Sequence, residues 1–209
     1  VSPAGLALIL YGAYLLLAFG LRALIQLRRT GSTGFHGLGG RPGSAEWVAG
    51  VGFTVALLVG AAAPVLALLD VVEPIAALDT TAAHIAGLIL AVGGIGLTFY
   101  AQVAMGASWR IGVDPAERTQ LVTSGPFALV RNPIFAAMVP TALGLSLLVP
   151  SWVACAGLAG LVAALELQVR VVEEPYLLRV HGATYSAYSA QVGRFVPGIG
   201  RLRRAGHPL

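Results

Sequence analysis

The chain has 209 residues, of which 57% are hydrophobic and only 11% charged, with a mean hydropathy of +0.83. A soluble domain carries roughly 25% charged residues, so this composition excludes an ordinary water-soluble fold and points to a bilayer. The formal net charge is +4 and all 13 basic residues are arginine; they sit between apolar runs, so they report membrane orientation and lipid head-group contact, and nucleic acid is excluded as a partner. Cys155 is the only cysteine and lies in an apolar run, which leaves no disulfide framework and no cysteine metal site.

In chain order, the apolar runs predict five transmembrane helices in an all-α fold. The first covers Pro3 to Leu27 and is read as a span, not a cleaved signal, with Arg22 snorkelling near its end. Arg28 and Arg29 follow, then a loop over residues 30–44 with glycine at 31, 34, 37, 39, 40 and 43. No strand precedes that loop, as a phosphate-cradling loop requires; it reads as a flexible connector or as a mobile lid over a cofactor. The second helix covers Glu46 to Leu69, and an arginine-free loop with Asp70, Glu73 and Asp79 comes next. The third runs from Ala82 to Met105 and holds Gly93-Gly94-Ile95-Gly96. Such glycines permit close helix packing or the approach of a ligand to the backbone.

A polar connection, Gly106 to Arg131, carries Trp109, Arg110, Asp114, Glu117 and Arg118. The fourth and fifth helices, Ile134 to Val149 and Ser151 to Glu174, are separated by Pro150-Ser151 and read as an antiparallel hairpin. Pro175 should bend or end the last span, and Ala183 to Gln191 can form a short interfacial helix with Tyr185 and Tyr188 at head-group level. Every arginine falls in the loop after the first helix, the connection after the third, the tail, or a helix end on that side. The positive-inside rule then puts the N-terminus outside and the C-terminus in the cytoplasm, as in a bacterial-type inner membrane. The chain is one integral membrane domain: residues 1–105 form three N-terminal helices, and 106–209 form the connection, hairpin and C-terminal cap.

Residues equally far from the hairpin break lie at the same depth, so the segment Gly125 to Pro133 meets Arg170, Glu173 and Glu174 at one end. The fourth helix is short, about 24 Å against a hydrocarbon core of roughly 30 Å. Arg131-Asn132-Pro133 therefore sits at or just below the interface, where a guanidinium needs partners. Glu166, Arg170 and Glu173 share one helix face, with Glu174 beside them. They form either a salt-bridged ladder that holds the hairpin end or, with Arg131, a mixed-sign cluster suited to a zwitterionic ligand.

At these residues the chain resembles the isoprenylcysteine carboxyl methyltransferase and phospholipid N-methyltransferase superfamily of integral membrane enzymes. The likeness runs through Met105-Gly106-Ala107-Ser108-Trp109, Leu121 to Phe127, Arg131-Asn132-Pro133, Arg170, Glu173-Glu174, His181-Gly182, Tyr185, Tyr188 and Arg194-Phe195-Val196-Pro197. Gly94 and Gly96 resemble the G-x-G element that the phospholipid enzymes pair with an acidic doublet. The chain departs from the family where Asn132 replaces a usual histidine, and where Phe127 and Phe135 replace tyrosines; asparagine cannot titrate near neutral pH.

The resemblance implies an S-adenosylmethionine-dependent methyltransferase acting on a lipophilic small molecule or lipid, isoprenylcysteine carboxylate-like or related, that enters from the membrane. Its cofactor site would lie at the hairpin end and the tail, facing the cytoplasm, with Gly94, Gly96, Gly125, Pro126, Val130, Arg131, Asn132, Pro133, Glu173, Glu174, Tyr185 and Tyr188 around the cofactor. Glu166 or Arg170 would meet the acceptor. Two rivals remain. Membrane sterol and enone reductases use NADPH, but they carry more helices and an R-H-P-N-Y-type motif that Arg131-Asn132-Pro133-Ile134-Phe135 does not match. A non-catalytic membrane scaffold would bind no nucleotide-like ligand.

Overall fold

A computed structural model describes residues 1–35, 37, 39–109 and 120–202. Arg110, Asp114, Glu117, Arg118, Arg203 and Arg204 lie outside the described residues. The described elements are helical: α1 (Pro3–Thr30), α2 (Ala45–Leu68), α3 (Thr81–Ala104), α4 (Pro133–Leu148) and α5 (Trp152–Gln191). Four of them, all but α4, are long and apolar enough to cross a membrane. The fifth expected span, α4, is apolar but only 16 residues long.

The starts of four helices are set by local chemistry. Ser2, Ser44, Thr80 and Ser151 each accept a hydrogen bond from the backbone N–H three residues on, which satisfies one of the donors left open at a helix N-terminus. Helix α4 starts differently. Asn132 stands at its N-cap without a capping bond and Pro133 follows at the first turn, so the Asn132 side chain is released for another partner.

Small residues then decide which helices touch. A Cβ placed on Gly94 would lie 2.3 Å from Thr141 Oγ1 and 2.8 Å from the Thr141 backbone nitrogen; one on Gly144 would lie 2.4 Å from the Ala91 nitrogen. Helices α3 and α4 therefore approach backbone to backbone, as small residues allow in membrane bundles. Gly157 of α5 plays the same part against Gly60 of α2. Side chains of all five helices meet in one core that includes Tyr14, Ala56, Ile95, Met138 and Leu165.

Two π-helical stretches interrupt regular winding, Leu16–Leu21 in α1 and Gln168–Glu173 in α5. Both correct the sequence reading. After the first, Arg22 does not snorkel outward; it is fully buried. Its guanidinium donates to the carbonyls of Gln102 and Gly106 and to Gln26 Oε1, and it stacks 4.5 Å from the centre of the Trp109 ring. Trp109 is likewise buried. After the second, Pro175 does not end the helix, because it falls in the first turn of the following α-helical stretch, Glu174–Gln191, where proline's missing N–H costs nothing. The break comes instead at Gly182, whose φ of 50° and ψ of −122° are non-helical.

Candidate functional site

The chain after Gln191 folds back on the hairpin end. Arg131 N–H donates to the Gly193 carbonyl, Asn132 N–H and Asn132 Nδ2 both donate to the Arg194 carbonyl, and Leu202 N–H donates to Ser189. Gly193 is required in this fold-back, since a Cβ there would stand 2.1 Å from the Val196 carbonyl oxygen. The released Asn132 side chain thus ties the tail to the start of α4.

Beneath the tail, Arg131 is nearly inaccessible, with its side chain 1% exposed. One terminal nitrogen donates to the Ser189 and Val192 carbonyls, the other to Glu174 Oε1 and the Gly200 carbonyl. Arg194 approaches the same carboxylate from the tail, Nε on Oε1 at 2.8 Å and Nη2 on Oε2 at 2.9 Å. Glu174 therefore joins two guanidiniums and three chain segments, and its hydrogen bond holds Arg194 above the usual guanidinium pKa. A pair buried this deeply stands only if every partner is present.

A cavity of about 420 Å³ adjoins this cluster, within the range of small-molecule sites. Arg131, Asn132 and Pro133 line one side, with Glu173, Tyr185 and Tyr188. Tyr188 is positioned by its hydroxyl, which donates to the Phe127 carbonyl, and its ring lies 6.1 Å from that of Tyr185. Three buried polar atoms lack a protein partner and belong to residues on the cavity wall: Arg131 Nε, Gln102 Oε1 and the Tyr14 hydroxyl. Buried polar atoms in folded proteins are nearly always satisfied, so this wall suits a ligand with both donors and acceptors.

Residues 82–184 match the phospholipid methyltransferase family. The match covers α3, α4 and α5 past the kink, and with them Arg131, Asn132, Glu173 and Glu174. Over these residues the chain is similar to that family of methyltransferases. No curated protein matches the chain.

Within and around the matched segment, the expected site residues divide. Arg131, Asn132, Pro133, Glu173, Tyr185 and Tyr188 are brought together on the cavity wall. Glu174 stands behind them, holding Arg131. Val130 is buried and bridged to Gly193, while Gly125 (φ 59°) and Pro126 open the short turn Gly125–Ala128 that leads to it; none of these three lines the cavity. Gly94 is filled by its packing on Thr141, and Gly96 faces open space on the other side of α3, so α3 does not carry these two glycines to the cavity.

Glu166 and Arg170 also part from expectation. They pair with each other at i, i+4 with side chains 38% and 59% exposed, outside the cavity wall. A π-helical stretch follows Leu167. Its turns are closed by i→i+5 bonds, and beyond it Glu174 pairs with Arg131 and Arg194, so the expected ladder of Glu166, Arg170 and Glu174 does not form.

Sequence reasoning missed the other half of the wall. Tyr14, Glu46, Phe53 and Gln102 line the cavity with Trp109 and Tyr176, and the glycine-rich loop contributes Phe35, Gly37 and Gly39. A signal was present. Glu46 is the one acidic residue in the first 69 positions, and Gln102 is a lone amide in an apolar helix. Among the described residues no group of three or more His, Cys, Asp or Glu side chains is arranged to hold a metal.

Proposed function

We propose that the protein is an S-adenosylmethionine-dependent methyltransferase whose acceptor is a lipophilic molecule that enters the cavity from the bilayer. The observation that carries this reading is the position of the cavity, at the polar hairpin end of the segment that matches the phospholipid methyltransferases. Its wall fits a zwitterionic, aromatic cofactor. Arg131 Nε and Asn132 face a carboxylate, Glu173 accepts from ribose hydroxyls or an ammonium, and Tyr185 and Tyr188 wall the adenosine. Glu174 and Arg194 do not touch the ligand; they hold Arg131 in place.

The cofactor supplies an activated methyl on a sulfonium. The chain's own contribution is to align an acceptor lone pair with that methyl and to keep water out. Apolar side chains such as Phe53, Met138 and Leu165 continue the cavity into the helix core, a lining that suits a lipophilic acceptor. All five helices cross the bilayer in this reading, with the arginine-bearing end and the cavity toward the cytoplasm. The shortness of α4 keeps Arg131 near the interface, within reach of a polar cofactor.

Calorimetric titration of the detergent-solubilised protein with S-adenosylhomocysteine, beside NADPH, tests the reading. Saturable binding of S-adenosylhomocysteine, lost in a folded Glu173→Gln variant, is the expected result. Binding of NADPH alone would transfer the protein to the reductases, and silence with both in folded protein would defeat an enzymatic role.

A further inference from the structure

Glu46 stands on the cavity wall at the first turn of α2, outside the matched segment, and the reading above gives it no task. Among the described residues no basic side chain forms an ion pair with it. The glycine-rich loop is folded against its carboxylate: a Cβ on Gly39 would lie 2.2 Å from Glu46 Oε1, and one on Gly40 would lie 3.0 Å from Glu46 Cβ. Gly40 also has a φ of 79°, which favours glycine. The glycine at 39 thus has a local purpose, since a larger residue there would displace this acid.

Around Glu46 the wall changes character. Arg131, Asn132 and Tyr176 lie on the matched side; Tyr14, Phe19, Phe53 and Leu57, from α1 and α2, lie on this one. Tyr14 lines this side, and its hydroxyl is buried without a protein partner. Helix α2 packs against the π-helical stretch that carries Glu173, so the two carboxylates belong to the same end of the bundle.

We propose that Glu46 is the acceptor-side catalytic carboxylate, and that the acceptor brings a removable proton, as an amine or thiol on an apolar tail does, and is not itself a carboxylate. This rests on the methyltransferase reading above. The proton of an acceptor ammonium N–H or thiol S–H passes to Glu46, and the freed lone pair forms the bond to the methyl. The methyl–sulfur bond breaks with its electron pair left on sulfur. Sulfonium and carboxylate charges disappear together, leaving a thioether, a carboxylic acid and the methylated product; Glu46 later returns the proton to water at the cytoplasmic mouth. Loss of opposite charges is favoured where the surroundings are apolar and dry. An acceptor carboxylate would instead be repelled by Glu46.

The test uses the full chain in lipid nanodiscs, with S-adenosylhomocysteine binding as the control and methyl transfer to decylamine, decanethiol and decanoate as the readout. The three probes share one alkyl chain and differ only in the head group. Native protein should methylate the amine or the thiol and leave decanoate unchanged. Glu46→Gln should bind S-adenosylhomocysteine within about twofold of native while transfer falls by about 10²–10⁴-fold, the usual share of a general base.

Gly39→Ala, whose methyl turns the Glu46 carboxylate aside, should lower transfer by about tenfold to a hundredfold; it decides the matter if Glu46→Gln does not fold. Transfer at the native rate in these variants, preference for decanoate, loss of S-adenosylhomocysteine binding in Glu46→Gln, or no methylated probe from native protein that binds S-adenosylhomocysteine would each overturn the assignment of Glu46 and leave the methyltransferase reading standing. Failure of native protein to bind S-adenosylhomocysteine would remove both.

Discussion

Helix α5 carries two acid–arginine groupings that look alike in sequence and differ in every physical respect. Glu166 and Arg170 are a half-exposed pair one turn apart on the same helix. Glu174, two turns on, is 5% exposed and joins Arg131 of the loop before α4 to Arg194 of the tail. The first pair restrains nothing beyond its own turn. The second closes the end of the bundle and fixes one wall of the cavity. Charge spacing along a helix says which residues can meet, but burial and the number of segments joined decide what a meeting is worth.

Removal of one partner is the sharpest way to break this contrast. Glu174→Gln should cost about 3–5 kcal/mol, since it leaves two guanidiniums facing a neutral amide beneath the tail. Thermal unfolding in detergent would show it, with faster amide exchange at residues 192–202; an unchanged melting temperature would mean that the tail docks without the ion cluster. Gly94→Ala should cost about 1–3 kcal/mol by forcing α3 and α4 apart, whereas Gly96→Ala, with nothing within 4 Å of the added methyl, should stay within about 0.5 kcal/mol of native. Equal effects from the two would refute the assignment of Gly94 to helix packing.

Glu173→Gln sharpens the contrast between neighbours. It should keep the fold and weaken S-adenosylhomocysteine binding by at least about tenfold, which is roughly 1.4 kcal/mol. The calorimetric titration reads this directly, and loss of folding in place of binding would give Glu173 a role like that of Glu174. The smallest effect belongs to Arg170→Ala. An exposed i, i+4 pair contributes about 0.3–0.5 kcal/mol, so unfolding should barely shift and S-adenosylhomocysteine affinity should hold. A large loss of methyl transfer in that variant would restore Arg170 to the acceptor site.

Composition and apolar run length were enough to establish a helical membrane protein, because a bilayer demands long apolar helices whatever their packing. Helix limits were legible to within a residue or two at Ala45, Thr81 and Pro133 for the same local reason: Ser44, Thr80 and Pro133 act on their own first turns. The meeting of Arg131 with the acidic end of α5 was legible too, from equal distance to the Pro150-Ser151 break. Tertiary structure alone decided the rest. Arg194 returns from the tail to share Glu174 with Arg131, so the loss of the ladder with Arg170 could not be read from spacing along one helix. Arg22 could be placed inside or outside only once α3 and Trp109 stood beside it. Glu46 and Tyr14 reach the cavity because α1 and α2 pack against a hairpin more than 80 positions away in the chain, and contacts at that separation depend on how helix faces fit together, which periodicity leaves open.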